Sequence, residues 1–566
     1  AEDAPTALAR RRVTRWVGWF DDGAMLVRAR VAGSTQLFRL AAPGQPLQSL
    51  APHELPTGAA ALSPDGARLA FTLQHPQGAR LYVMRLVDRS VVRISGEARG
   101  CTDLLWARDS RRIAFRARPV AGAEDALLLA QVDAMGPPRM LLAPRSLDPA
   151  PQTPRALGWS ADDRTLLVSL SGSTTTQYMV DVASGSATPV LGELALDGAV
   201  RFAPGGRALY ALARADDGLR RLHYLDLASG ERRVLTPRLP WDIERFAVSS
   251  DGRQVAVSAL AAGYTLLRVL DLPSGALLEP PALQPGFIDD FGFDRDGARL
   301  AFTLESADSP ADAWSWDLRR QAATRWTVAP GSGAAALPIA VPRRLQLPAW
   351  DAAGRSSRTL PGWVTRPASG AALAQRPVWL APRLGNATRM HPRYDALTQY
   401  LVGALGYVAL MPDLGNANGR EAQLRDLGAV LVWIGLQRDL DPSRTVLAVS
   451  DESAELLLPM LAQYGERLRA GVQLRGAPQL PRGARASLLS RPVLLVHGRD
   501  DLRWAGNTGE RSAQSLRALG NEAWRVALPA EAGGRWVRPE NEERCAQAVA
   551  AFLRQFNAPT GVSRAS

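Results

Sequence analysis

The sequence predicts two folds in one chain: a seven-bladed β-propeller over residues 1–330, then an α/β domain with a mainly parallel sheet over 346–566. Three observations carry this. A strand–turn–strand unit recurs seven times before residue 330. A small-residue segment, VAPGSGAAALP, then opens a linker assigned to 331–345. Beyond it, continuous apolar strands alternate with amphipathic helical stretches.

The repeats are legible one by one. ALSPDGARLAFTL (61–73), LLWARDSRRIAFRAR (104–118) and LGWSADDRTLLVSL (157–170) are followed by VRFAPGGRALYALAR (200–214), FAVSSDGRQVAVSAL (246–260) and FGFDRDGARLAFTLE (291–305). VGWFDDGAMLVRAR (17–30) is a weaker first copy. The turn residues Gly23, Gly66, Ser110, Asp163, Gly206, Gly252 and Gly297 lie 43 to 53 residues apart, the spacing of four-stranded blades. A second turn, Asp181 to Gly185, Asp226 to Gly230 and Asp271 to Gly275, reads as the hairpin between a blade's third and fourth strands. One blade alone cannot bury both of its faces, so the copies imply a ring.

In the second half, PVWLAP (377–382), YVALMP (407–412), TVLAV (445–449), AGVQL (470–474), PVLLVHG (492–498) and WRVALP (524–529) read as buried strands. YDALTQYLVGALG (394–406), LGAVLVWIGLQ (427–437), SAELLLPMLAQYG (453–465), SAQSLRALG (512–520) and ENEERCAQAVAAFLRQF (540–556) read as the helices between and after them.

Composition excludes several classes. The chain has 566 residues, is 46% hydrophobic and 22% charged, and has no apolar run long enough to span a bilayer as a helix. Its net charge is +12 and all its basic side chains beyond the five histidines are arginine, because lysine is absent. The arginines are scattered rather than gathered into a patch with interleaved aromatics, so a nucleic-acid partner is not expected, and coding bias accounts for the composition. Cys101 and Cys545 have no metal-ligand spacing, and buried thiols are expected, with a bridge between them the alternative. The start at Ala1 is consistent with a processed, exported protein, periplasmic or extracellular, or with a trimmed chain. No cofactor is expected.

The candidate site lies in RTVLAVSDESAELLLPM (444–460), a strand, tight turn and helix of the kind that presents a nucleophile. The five turn positions that would read Gly-x-Ser-x-Gly are Val449, Ser450, Asp451, Glu452 and Ser453. The order of elements, together with LPGWVTRP (360–367), LGYVALMP (405–412), DPSRT (441–445), YGERLRAGV (464–472), PVLLVHGRDD (492–501) and RPEN (538–541), resembles the prolyl oligopeptidase family. Those are serine peptidases that join a β-propeller to an α/β-hydrolase domain, the propeller restricting which substrates reach the catalytic pocket.

The resemblance implies a catalytic role for each matching position, and most are altered. Asp451 stands at the nucleophile position, with Ser450 and Ser453 as neighbouring hydroxyls. Asp501 stands at the acid position, four residues after His497, which matches a structural His-Gly. The histidine position falls at Gly533 and Gly534, and no histidine follows His497. His391 is a distant substitute, on the wrong side of the sheet. The oxyanion segment reads Ala381-Pro-Arg-Leu-Gly385, where proline and bulky side chains oppose close approach to a substrate oxygen. With Val449 and Ser453 in the glycine places, a relaxed turn is expected instead of a strained elbow. The expectation is a catalytically inactive relative, a pseudoenzyme that binds a protein or peptide as scaffold or regulatory subunit. The alternative is a peptidase or esterase that uses Asp451, Ser450 or Ser453 with rearranged chemistry.

Overall fold

The computed structural model describes residues 13–31, 34–50, 55–120, 123–134, 136–143, 153–171, 175–190, 196–261, 263–327, 339–350, 358–367, 375–384, 392–415, 419–476, 491–499, 501, 508–529, 531, 536 and 539–557. They fall into two compact units: 13–305 with 311–327, and 306–310 with 339–557.

The first unit is the seven-bladed propeller. Its strands form seven four-stranded antiparallel sheets, each built from strands consecutive in the chain. The first blade comprises Thr14–Trp19, Met25–Val31, Ser34–Leu40 and Gln48–Ser49. The last comprises Phe287–Phe293, Arg299–Glu305, Asp312–Asp317 and Ala322–Arg325. All seven predicted turn residues have left-handed backbone: Gly23, Gly66, Gly206, Gly252 and Gly297, but also Ser110 (φ 57°) and Asp163 (φ 56°). The two non-glycine cases are held by their side chains. Ser110 Oγ accepts from the amide of Asp65 at 3.0 Å, in the preceding blade's turn. The Asp163 carboxylate accepts from the amides of Arg108 (3.0 Å) and Asp109 (2.8 Å), again one blade back.

Among the described residues no strand is shared between the first and last blades, and the ring closes by packing, by side chains and by one backbone bond, from the Thr14 amide to the Ala311 carbonyl (2.7 Å). The amide of Trp16 donates to Thr303 Oγ1 (2.9 Å), and Trp19 Nε1 donates to the Gly292 carbonyl (3.1 Å). Arg15 pairs with Asp289 at 3.0 Å. Gly292 is required here, because a Cβ at that position would stand 2.4 Å from the Trp16 ring.

The second unit is an eight-stranded mixed sheet. In chain order its strands are β1 (Arg343–Pro348), β2 (Thr359–Thr365), β3 (Arg376–Leu380), β4 (Val408–Pro412), β5 (Leu440–Ser450), β6 (Ala470–Leu474), β7 (Val493–Gly498) and β8 (Ala523–Leu528). Their order in the sheet is β1-β2-β4-β3-β5-β6-β7-β8, antiparallel at β1–β2 and β2–β4 and parallel thereafter. The helices are α1 (Ala396–Gly403), α2 (Gly419–Leu436), α3 (Leu457–Tyr464), α4 (Thr508–Ala518) and α5 (Pro539–Phe556). β1 and β2 have no counterpart among the expected strands, and β1 begins inside the segment read as linker. Both are antiparallel edge additions with exposed positions, so they lack the continuous apolar run of the inner strands.

Alternation along the inner strands feeds two cores. Val378, Leu380, Leu447 and Val449 pack with α2 and α3 on one face; Trp379, Val446 and Ala448 pack with α1 and α5 on the other. Cys545 lies in the second core, its thiol pushed up to about 12 by burial, and neither it nor Cys101 is bridged. Among the described residues, no helix is long and apolar enough to cross a membrane.

Candidate functional site

β5 ends with Ser450 in extended backbone (φ −150°, ψ 150°), and the chain then reverses sharply at Asp451 (φ 47°). A 3₁₀ turn, Asp451–Leu456, leads into α3. The relaxed turn expected from the sequence is therefore corrected: the elbow's left-handed backbone is kept. Its physical basis lies in three side chains. Aspartate tolerates this conformation better than most residues. Val449, at the first glycine position, is buried in the core. Ser453, at the second, folds back into the turn: its Oγ accepts from the Ser450 amide (3.0 Å) and donates to the Ser450 carbonyl (2.9 Å). The close approach is supplied from β6 instead. A Cβ at Gly476 would stand 2.8 Å from the Asp451 carbonyl oxygen and 2.7 Å from Ala454 Cβ.

The residue that governs Asp451 was not foreseen. Arg475, directly after β6 and itself left-handed (φ 66°), places Nε 3.2 Å from Asp451 Oδ2. This is an ion pair with poor hydrogen-bond alignment, since the same Nε is buried without a hydrogen-bond acceptor. The Arg475 guanidinium also lies over the Trp536 ring, 5.5 Å from its centroid. An Asp451 carboxylate held this way is a poor nucleophile, because its negative charge is stabilised by the guanidinium in the ground state.

On the oxyanion side, the first backbone donors of the segment are spent. The Ala381 amide donates to Leu410 O (2.8 Å), Pro382 has none, and the Arg383 amide donates to Pro412 O (2.9 Å). The Arg383 side chain is exposed, yet burial by the surrounding protein pushes its guanidinium below its usual range. Asp395 opposes that shift, while Arg475 and Arg393 add to it.

On the acid side, Asp501 is buried, 3% exposed, and near enough to His497 to influence it electrostatically. His497 is itself fully engaged. Nδ1 lies 2.8 Å from the Gly498 carbonyl and donates to it; Nε2, 3.0 Å from Arg525 Nε, accepts. Burial pushes its pKa below the usual 6.5. It is a neutral structural imidazole with no lone pair left for proton abstraction. Gly498 lets the chain pass closely, because a Cβ there would stand 2.1 Å from the Glu531 carbonyl oxygen. Glu531 is buried and accepts from Asn541 Nδ2 at 2.9 Å. Gly533, Gly534 and His391 lie outside the described residues. Among the described residues, no group of three or more His, Cys, Asp or Glu side chains is placed to hold a metal ion.

The sheet thus brings Asp451, Ser450 and Ser453 together at the carboxyl ends of the strands, with Arg475 as partner. Arg383 and Arg475 are the site residues that sequence reasoning missed. Each directly follows a predicted strand end, which is the available signal, since ligands of parallel sheets gather there.

No family model and no curated protein matches the sequence. Solved structures do match over almost the whole chain. A puromycin hydrolase is 17% identical with a TM-score of 0.76, covering 99% of this chain and 97% of its own. A puromycin-hydrolyzing peptidase of Mycobacterium tuberculosis is 15% identical at TM-score 0.75, covering 99% and 97%. A prolyl endopeptidase is 12% identical at 0.74, covering 98% and 90%. At such identities the likeness establishes the fold: the chain is built as prolyl oligopeptidase-type peptidases are, a seven-bladed propeller with an α/β-hydrolase-like domain.

Proposed function

We propose that this protein is a non-catalytic counterpart of the peptidases whose fold it shares, and that it acts by binding a protein or peptide. One observation carries the reading: at the nucleophile position Asp451 is ion-paired to Arg475 at 3.2 Å, with the Ser453 hydroxyl spent inside its own turn. Serine attack needs a base to accept the hydroxyl proton, and aspartate attack forms an ester that water must then hydrolyse with the help of a base. No histidine follows His497 in the chain, and both ring nitrogens of His497 are already bonded. The amides that would stabilise an oxyanion at Ala381 and Arg383 are bonded as well.

What remains is a propeller, an elbow kept for its shape and two arginines at the strand ends. These are surfaces suited to recognition without turnover, in a scaffold or regulatory subunit. The test is active-site labelling with a fluorophosphonate, alongside hydrolysis of peptide and ester substrates. The expected result is neither labelling nor turnover. Labelling abolished by Ser450→Ala or Ser453→Ala, or turnover abolished by Asp451→Asn, overturns the reading.

A further inference from the structure

Asp451 shows what the arginines at the strand ends are suited to hold: a carboxylate, paired with Arg475 at 3.2 Å. β5 lies between β3 and β6, so Asp451 at its end is flanked by Arg383 beyond β3 and Arg475 beyond β6. The registers Leu380↔Leu447 and Ser450↔Leu474 bring all three to the same level along the sheet. Neighbouring strands stand roughly 4.8 Å apart, so the two arginines issue about 10 Å from each other, on either side of the elbow. Arg475 takes the internal carboxylate and the Trp536 ring.

Arg383 has no equivalent partner. Its backbone is fixed by bonds to Pro412 O (2.9 Å) and from the Leu414 amide (3.1 Å), but among the described residues its guanidinium makes no hydrogen bond or ion pair. The carboxylates in its neighbourhood are each bonded through one oxygen, and neither is bonded to Arg383; Asp413, beside it across the sheet, attracts it only electrostatically, with Oδ2 buried and without a hydrogen bond. Asp395 caps α1, accepting from the Thr398 amide at 3.0 Å. Asp413 Oδ1 accepts from the Gly415 amide at 3.0 Å. An accessible guanidinium, fixed by its backbone and near enough to a second arginine to feel its charge, is a donor set for a planar anion.

We propose that the strand ends around the elbow form a carboxylate-binding site, in which Arg383 receives a carboxylate of a bound peptide and Arg475 is the second cation. This rests on the non-catalytic reading and names the ligand chemistry of the same strand ends. Asp451 then acts as an internal competitor for Arg475. The carboxylate is either the peptide's C-terminus or an Asp or Glu side chain, and the experiment separates the two.

The full-length protein is immobilised and exposed to two pools of N-acetylated tetrapeptides of randomised sequence, one ending in a free carboxylate and one in a carboxamide. Retained peptides are identified by mass spectrometry. Retention of the free-acid pool alone assigns the C-terminus; retention of amides enriched in Asp or Glu assigns a side chain. Either is expected to fall at least about tenfold in Arg383→Gln, the loss of a charge-assisted bond. It is expected to rise severalfold in Asp451→Asn. Arg383 is exposed, so Arg383→Gln is expected to keep the wild-type circular dichroism. No retention of either pool, retention of amides without acidic enrichment, or undiminished retention by Arg383→Gln overturns the inference. Cleavage of either pool would overturn the non-catalytic reading instead, so the two failures are distinguishable.

Discussion

The propeller and the α/β unit both place non-glycine residues in left-handed backbone, and they stabilise them in different ways. In the propeller, Ser110 and Asp163 reach one blade back and bond to the amides of Asp65, Arg108 and Asp109. The side chain that makes the turn unusual also ties neighbouring repeats together. In the α/β unit, the Asp451 carboxylate pairs with Arg475, a side chain from the neighbouring strand's end, and the turn is held by Ser453 and by the space at Gly476. The blade turns are therefore structural through the residue itself. The elbow is structural through what surrounds it, and this leaves its apex residue open to change without loss of shape.

The largest effect is expected where the elbow's surroundings are filled. Gly476→Ala adds a methyl at a left-handed position (φ 71°) against backbone and a methyl group that cannot move aside. The conformational cost is roughly 1–2 kcal/mol, and overpacking adds about 1–3, so a loss of about 3 kcal/mol is expected. Denaturant unfolding, with hydrogen exchange to locate the change in β5, β6 and α3, measures it. A loss below about 1 kcal/mol would mean that the elbow can relax after all.

In the propeller, Asp163→Ala removes two bonds from a carboxylate and leaves a methyl in left-handed backbone, with an expected loss of about 2–3 kcal/mol. Asp163→Gly loses the same bonds but relieves the backbone, so it should cost about 1 kcal/mol less. The contrast sharpens the comparison between the two kinds of turn. If Asp163→Gly is as damaging as Asp163→Ala, the bonds alone matter and the backbone argument fails for the blades.

Much of this was legible in the residues, for reasons of period and turn chemistry. A repeat with Asp-Gly turns shows itself seven times, so even Ser110 and Asp163 were placed correctly, because their neighbours fixed the spacing. Inner strands of a parallel sheet, buried on both faces, read as apolar runs; β1, half exposed at the edge, and β2, antiparallel and interrupted by Pro361 and Gly362, did not. The elbow's backbone was misjudged because only its own five residues were weighed. Its conformation depends on Gly476 and Arg475, some 25 residues later, and such pairing across strands leaves no local trace. Arg383 was visible only as an obstacle in the oxyanion segment; its freedom to bind depends on where Asp395 and Asp413 spend their carboxylates.

A smaller effect compares the units through their buried histidines. His223 in the propeller has Nε2 3.2 Å from the Ala213 carbonyl and Nδ1 accepting from Arg232 Nε at 3.0 Å. His497 uses the opposite nitrogens for the same pair of tasks. Burial lowers both pKa values below the usual 6.5, and the adjacent arginines add to this. The unfolded chain therefore takes up a proton near pH 6.5 that the folded chain refuses. Each histidine contributes its full stability above pH 6.5, and this is lost as the pH falls below that value toward the lowered folded pKa. The slope is at most about 1.4 kcal/mol per pH unit for each. Hydrogen exchange between about pH 5 and 7 should show both units weakening on acidification. His223→Gln should flatten that slope in the propeller alone, and His497→Gln in the α/β unit alone. A slope that survives His497→Gln would assign the acid sensitivity of that unit to other groups. One that disappears from both units with a single substitution would show that they unfold as one, so that the two kinds of turn are tested in a single cooperative structure.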